Sequence, residues 1–252
     1  MIFPSNAAAR RAMTQLVQTH GAALLRGGFK TGRVLGCGRQ GCVAKATTGR
    51  VVKLTVSEDE ASLSQWLAAF GAGLPRMLPR IFRVGVFETE SVYVIEREDL
   101  SDPPWDPRGR LAALQVVGAA VDDLGCADLA YARGAPGAER LYLGAIHALE
   151  SVVDAQSLSR EVREAARDAL ALREWQEEHS VAIFDLWPRN WGWRAPPGGL
   201  FVSSLGRLVI RDIGIARHPE AFEAFGRRAE VEVVNLRGLI ASPRFALRGA
   251  RR

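Results

Sequence analysis

Lys53, Asp185, Asn190 and Asp212 are the residues of this chain whose types and order could do chemistry together. Asn190 follows Asp185 by five residues, and Asp212 stands just ahead of Ile213-Gly214. A carboxylate beside an acceptor hydroxyl, two oxygen ligands for a divalent cation and an ammonium on an anionic group are what in-line phosphoryl transfer requires, because its catalysis is mainly positioning and charge neutralisation. An isolated Asp or Asn in a loop is usually a turn former. Three of them in this order, downstream of a strand lysine, are harder to dismiss.

A glycine-rich segment precedes the lysine: Gly36-Cys37-Gly38-Arg39-Gln40-Gly41-Cys42-Val43. Between two strands it predicts a hairpin lid over nucleotide phosphates, since glycines let backbone amides approach anionic oxygens. The same spacing marks dinucleotide-binding turns, but those open a helix, and here a strand follows. Lys53 lies among Val51, Val52 and Leu54, where a buried ammonium needs an anionic partner to offset its lost hydration. Glu60 is the expected partner, although Ser57 and Glu60 also have the spacing of a capping box; Glu58 is the alternative.

The elements that must position these groups change character along the chain. Asn6 to about Leu25 carries apolar residues at helical spacing, with Ser5 or Asn6 as cap and Gly27-Gly28 as stop. Strands are expected at 33–35, 42–44 and 51–54, a helix from Ser57 to Phe70, and strands at 81–87 and 92–95 hinged on Glu88-Thr89-Glu90. Pro103-Pro104 and Asp106-Pro107 mark a break, after which helices are expected over 111–124, 138–153 and 160–178. A short strand, 208–210, leads to Asp212. Trp187, Trp191 and Trp193 crowd the segment around Asn190, where packing is the expected use of such rings.

Composition narrows the class. The chain has 252 residues, 48% of them hydrophobic, a formal charge of +5 and a pI near 9.5. That is enough apolar material for a core in one large domain or two small lobes. No apolar run approaches a membrane span and no secretory signal opens the sequence, so a soluble, cytoplasmic protein is expected. Three cysteines make no disulfide framework, which points to a reducing compartment. Cys126 is expected as a small buried residue, and Cys37 and Cys42 as ordinary strand residues. The four histidines are scattered, so no structural zinc is expected. The arginine-rich tail has no nucleic-acid motif beside it, and nucleic acid is not an expected partner.

From about residue 33 to 216 the ordered segments resemble the protein-kinase-like superfamily. The resemblance implies an α+β, two-lobed protein-kinase-like fold: an N-terminal helical extension (1–28), a small antiparallel β-sheet lobe (29–100) and a mainly helical lobe (101–252). It implies ATP with Mg2+ or Mn2+ in the cleft, covered by Gly36, Gly38, Gly41 and Val43. Lys53 would hold phosphates, Asp185 would be the catalytic base, and Asn190 and Asp212 would be metal ligands. Backbone at Glu96 and Glu98 would meet adenine.

Departures from the family shape the expectation further. Ile183 and Phe184 stand where His-Arg is common, so switching by phosphorylation of the activation loop is not expected. Trp187 replaces a usual lysine, while Arg189 occupies the place where tyrosine kinases carry an arginine and could neutralise the transferring phosphate. Ile213 replaces the Phe of Asp-Phe-Gly. Only 38 residues follow Gly214, and Ala241-Ser242-Pro243 is a poor echo of Ala-Pro-Glu, so a helical peptide-docking platform is not expected to fit. The leading expectation is a minimal kinase acting on Ser/Thr or Tyr hydroxyls of proteins, itself included. A small-molecule phosphotransferase resembling the aminoglycoside and choline kinases, or a non-catalytic kinase-like binding module, are the alternatives.

Overall fold

The computed structural model describes residues 5–38, 40–70, 73–87, 91–100, 110–179, 181–183, 191–194, 207–210, 216–217 and 234–235. The chain is α+β and divides into two compact units. Among the described residues no helix is long and apolar enough to cross a membrane.

The first unit contains α1 (Asn6–Arg26), β1 (Val34–Cys37), β2 (Gly41–Lys45), β3 (Arg50–Thr55), α2 (Glu58–Phe70), β4 (Ile81–Phe87), β5 (Val92–Glu98) and β10 (Val234–Asn235). Its strands lie in the order β1-β2-β3-β5-β4-β10, antiparallel throughout except that β10 runs parallel to β4. The two-residue period of β3 divides its side chains between two faces. Val52 and Leu54 point to a core shared with Ala9, Met13, Ala23 and Leu24 of α1, whereas Lys53 points to the other face. There Ala61 of α2 packs on Val86 and Tyr93.

Local chemistry sets the helix ends. Ser5 Oγ accepts from Ala8 N–H at 3.2 Å, which satisfies one of the first-turn donors of α1. At the other end Gly28 has φ +80°, where glycine avoids the strain an L side chain would bring, and it lies beside the Arg83 guanidinium. Arg83 in turn donates to the Gly27 carbonyl at 3.2 Å. α1 is one layer of the first unit's core, because its buried face has the sheet as its partner.

The cysteine expectation needs correction. Antiparallel pairing of β1 and β2 sets Cys37 opposite Cys42, and the two form a disulfide. Facing residues of adjacent strands bring their Cβ atoms within disulfide reach, which residue counting alone did not reveal. The argument for a reducing compartment loses its footing with this pair. Cys126, expected to be buried, is exposed on the third helix; partial burial of its sulfur and the adjacent Asp122 and Asp123 push its thiol pKa up.

The second unit contains the Leu74–Pro79 segment, α3 (Arg110–Ala132), α4 (Ala138–Asp154), α5 (Arg160–Glu178), β6 (Ala182–Ile183), β7 (Trp191–Arg194), β8 (Arg207–Ile210) and β9 (Ala216–Arg217). A polar hub joins its helices. Arg173 holds both oxygens of Asp128 at 2.7 and 2.8 Å and the Glu177 carboxylate at 2.7 Å, and Glu177 also accepts from Tyr142 Oη at 2.7 Å. Burial pushes the Asp128 carboxyl up against the opposing pull of Arg173. The Leu74–Pro79 segment, expected with the sheet, belongs here: Ile210 N–H donates to Met77 O at 2.7 Å, and Arg194 donates to the carbonyls of Arg76 and Leu78 at 2.9 and 3.0 Å.

If α1 is a core layer, Leu24→Ala, at a fully buried position, lowers unfolding free energy by about 2–5 kcal/mol. Urea denaturation followed by tryptophan fluorescence measures it; a loss within experimental error would show α1 to be dispensable.

Candidate active site

Lys53 and Glu60 meet in the interior of the first unit. Lys53 Nζ lies 2.5 Å from Glu60 Oε1, with side chains 5% and 1% exposed. The register of the sheet explains the lysine: Val43, Lys53 and Ile95 are successive cross-strand partners and share the face covered by α2. The helix start explains the glutamate. Glu60 N–H donates to Ser57 Oγ at 3.2 Å, which is one half of a capping box. The other half is absent, because Ser57 N–H donates to Thr55 Oγ1 at 3.1 Å and so has a partner without Glu60. Thr55 thus releases the Glu60 carboxylate to meet the ammonium. Glu58, the alternative partner, is exposed; its charge, after burial, helps raise the Tyr93 pKa to about 12.

A buried ion pair of this kind is a weak device for stability, since desolvating two charges offsets most of their attraction. Removing one member is another matter, because the remaining charge loses its counter-ion while still buried.

The glycine-rich segment forms the β1–β2 hairpin, closed at its tip by Gly38 N–H donating to Gly41 O at 2.8 Å. Gln40 O accepts from Val56 N–H at 2.8 Å and from Thr55 Oγ1 at 3.2 Å, so the tip is tied to the end of β3. The three glycines differ in what they are for. A Cβ on Gly41 would sit 1.8 Å from the Leu54 carbonyl oxygen, so close packing demands glycine. Gly36 and Gly38 have open space where a Cβ would go and lack a positive φ, so among the described residues neither packing nor conformation demands glycine.

Glu96 and Glu98, expected to offer backbone groups to adenine, lie on β5. β5 lies between β3 and β4, and Glu98 N–H donates to Arg80 O at 3.0 Å. The Glu96 side chain takes Arg83 Nε at 2.6 Å and Arg50 Nη1 at 3.3 Å. Both arginines share its sheet face, opposite to Lys53. Sequence reasoning missed this three-residue clamp, whose only signal was an acidic residue inside a strand.

Asp185, Arg189, Asn190 and Asp212 lie outside the described residues, as do Phe184 and Trp187. Their flanking strands are described. β6 pairs with β9 through Ile183↔Ala216, and β7 pairs with β8 through Trp191↔Ile210. The segment from β6 to β7 carries Asp185, Arg189 and Asn190, and the segment from β8 to β9 carries Asp212. Both segments therefore begin and end on paired residues. Trp191 is 1% exposed and Ile210 is fully buried, so one pair of anchors is set in the core. No group of three or more metal-ligating side chains occurs among the described residues. No family model and no curated protein matches the chain.

Glu60→Gln, which leaves the Lys53 ammonium buried without its carboxylate, is expected to cost about 3–5 kcal/mol of stability. The Lys53→Met, Glu60→Gln double variant should cost less than the sum of the singles in urea unfolding; strict additivity would show that the two do not interact. The glycines give a second test. Gly41→Ala destabilises by about 1–3 kcal/mol, while Gly38→Ala stays within about 0.5 kcal/mol of the parent. Equal losses at both positions would refute the distinction between them.

Proposed function

We propose that the chain is an ATP-dependent phosphotransferase, a minimal kinase that phosphorylates protein hydroxyl groups, its own included. The observation that carries this is the buried Lys53–Glu60 pair. Such a pair contributes little net stability, yet it holds an ammonium at a fixed point on the sheet beneath a glycine hairpin. That is the arrangement by which a strand lysine and a helix glutamate position nucleotide phosphates. Gly36 and Gly38 add support, since a close-approaching anion is the reason left for a missing side chain there.

In this proposal the Gly36–Val43 hairpin and Lys53 receive the triphosphate, with Lys53 neutralising its non-bridging oxygens. Asp185 accepts the proton of the acceptor hydroxyl as that oxygen bonds to the γ-phosphorus and the bond to the β-phosphate oxygen breaks. Arg189 offsets charge on the transferring group. Asn190 and Asp212 are the candidate ligands for magnesium, whose role when bound would be to screen the phosphate charges. Support for treating them as one group comes from the flanking strands, which pair Ile183 with Ala216 and Trp191 with Ile210.

Incubation with γ-labelled ATP and magnesium tests the reading. Label is expected on the chain itself and on protein acceptors, and Asp185→Asn should lower its incorporation by at least about 100-fold. Label found only on small hydroxylated compounds would assign a small-molecule phosphotransferase instead. Failure of ATP with magnesium to raise the melting temperature would leave a kinase-like binding module without nucleotide.

A further inference from the structure

The Cys37–Cys42 disulfide spans the residue pair just outside the hairpin tip, so it brackets the four residues Gly38 to Gly41. Its two ends differ in how firmly they are held. Cys42 is 1% exposed and packs in the core with Met13 and Leu54, and its neighbour Gly41 is wedged against the Leu54 carbonyl. β2 is also paired along its length with β3. β1 is different. It is the outermost strand of the sheet, its residues are only partly buried, Leu35 is 44% exposed, and its pairing shifts register between Val34 and Gly36. Two glycines, Gly36 and Gly38, loosen this side further, since glycine loses the most backbone freedom on ordering. Val34 and Cys37 touch the core only as partly buried residues, so the covalent bond adds the anchorage of Cys42 to a strand end held less firmly.

We propose that Cys37 and Cys42 form a reversible redox clamp on the glycine-rich hairpin, whose disulfide form holds the hairpin ready for nucleotide and whose dithiol form releases it. For its functional consequence the proposal rests on the nucleotide reading above. Released, the β1 end belongs to the low-stability part of the sheet, and the hairpin backbone from Gly36 to Gly38 must be ordered again at each binding event, at a cost to affinity. Clamped, that ordering is already made.

The exchange chemistry follows from exposure. Cys37 is partly exposed and Cys42 is buried, so an incoming small thiolate reaches the Cys37 sulfur first. It bonds there as the sulfur–sulfur bond breaks, the electron pair leaves on Cys42 Sγ, and that sulfur takes up a proton. A second thiol resolves the mixed disulfide at Cys37. The balance is two small thiols and one protein disulfide giving one small disulfide and two protein thiols, and the reverse sequence closes the clamp.

The test uses the full chain carrying Cys126→Ser, so that one cysteine pair remains, equilibrated in reduced or oxidised glutathione. Two quantities are read in each state: the affinity for ATP with magnesium by calorimetry, and amide hydrogen exchange over residues 36–43. The oxidised chain is expected to bind ATP about 3–10-fold more tightly than the reduced chain, and exchange in the hairpin should accelerate on reduction. Cys37→Ser should stay at the reduced values at every glutathione ratio. Equal affinity and equal exchange in both states would overturn the clamp, as would a pair that reduced glutathione fails to open, which would make it a permanent staple. If ATP binds in neither state the nucleotide reading fails, and hydrogen exchange alone then decides: acceleration on reduction upholds the clamp, and an unchanged rate refutes it.

Discussion

Taking an ammonium and a carboxylate out of water costs several kcal/mol per ion before any attraction is counted, and Lys53 and Glu60 are both almost fully buried. Much of the first unit's arrangement answers that cost. The sheet must present Lys53 on one face while Val52 and Leu54 fill the other, and α2 must begin where its third residue can reach the ammonium. A hydroxyl from the end of β3 settles the details: Thr55 satisfies Ser57 N–H, so Glu60 need not turn back to cap its own helix. With α1 over one face and α2 over the other, the strands between them are shielded on both sides.

The second unit is organised by a different constraint, the pairing of short strands. β6 with β9 and β7 with β8 contribute little apolar area by themselves, but they return the chain twice to the same neighbours. Three helices give these strands a rigid setting, joined through the Arg173 guanidinium, whose bidentate geometry on Asp128 is the strong form of such a contact. A buried Trp191 and the bonds from Arg194 to the Leu74–Pro79 segment tie β7 to its surroundings.

Much of this was legible in the sequence, and the exceptions have physical reasons. Helical spacing and cap residues marked α1, α2, α4 and α5 nearly to their ends, and alternation with turn residues marked β1 to β5. An amphipathic pattern states that a helix buries a face but not against what, so the packing of α1 on the sheet came from the structure. The choice between Glu60 and Glu58 stayed open because both lie in the first helical turn, and a hydroxyl on the preceding strand decided it. Cys37 and Cys42 needed the strand register, since spacing alone does not say whether two residues face each other across a hairpin. Glu96 looked like the start of a hinge because strand ends cannot be read from composition; β5 continues through Glu98, and two arginines claim the carboxylate. Asp185, Arg189, Asn190 and Asp212 were singled out by type and order, and it is their flanking strands that the structure describes.

Segments hung between fixed posts can change their contents without moving the posts. The stretches 184–190 and 211–215 each run from one two-stranded pairing to the other. Their points of departure and return are set by strand pairing, Ile183 with Ala216 and Trp191 with Ile210. Trp191 and Ile210 have little freedom, because both are buried and displacing either shifts an attachment point of both stretches. Intolerance to substitution is accordingly expected at these buried posts.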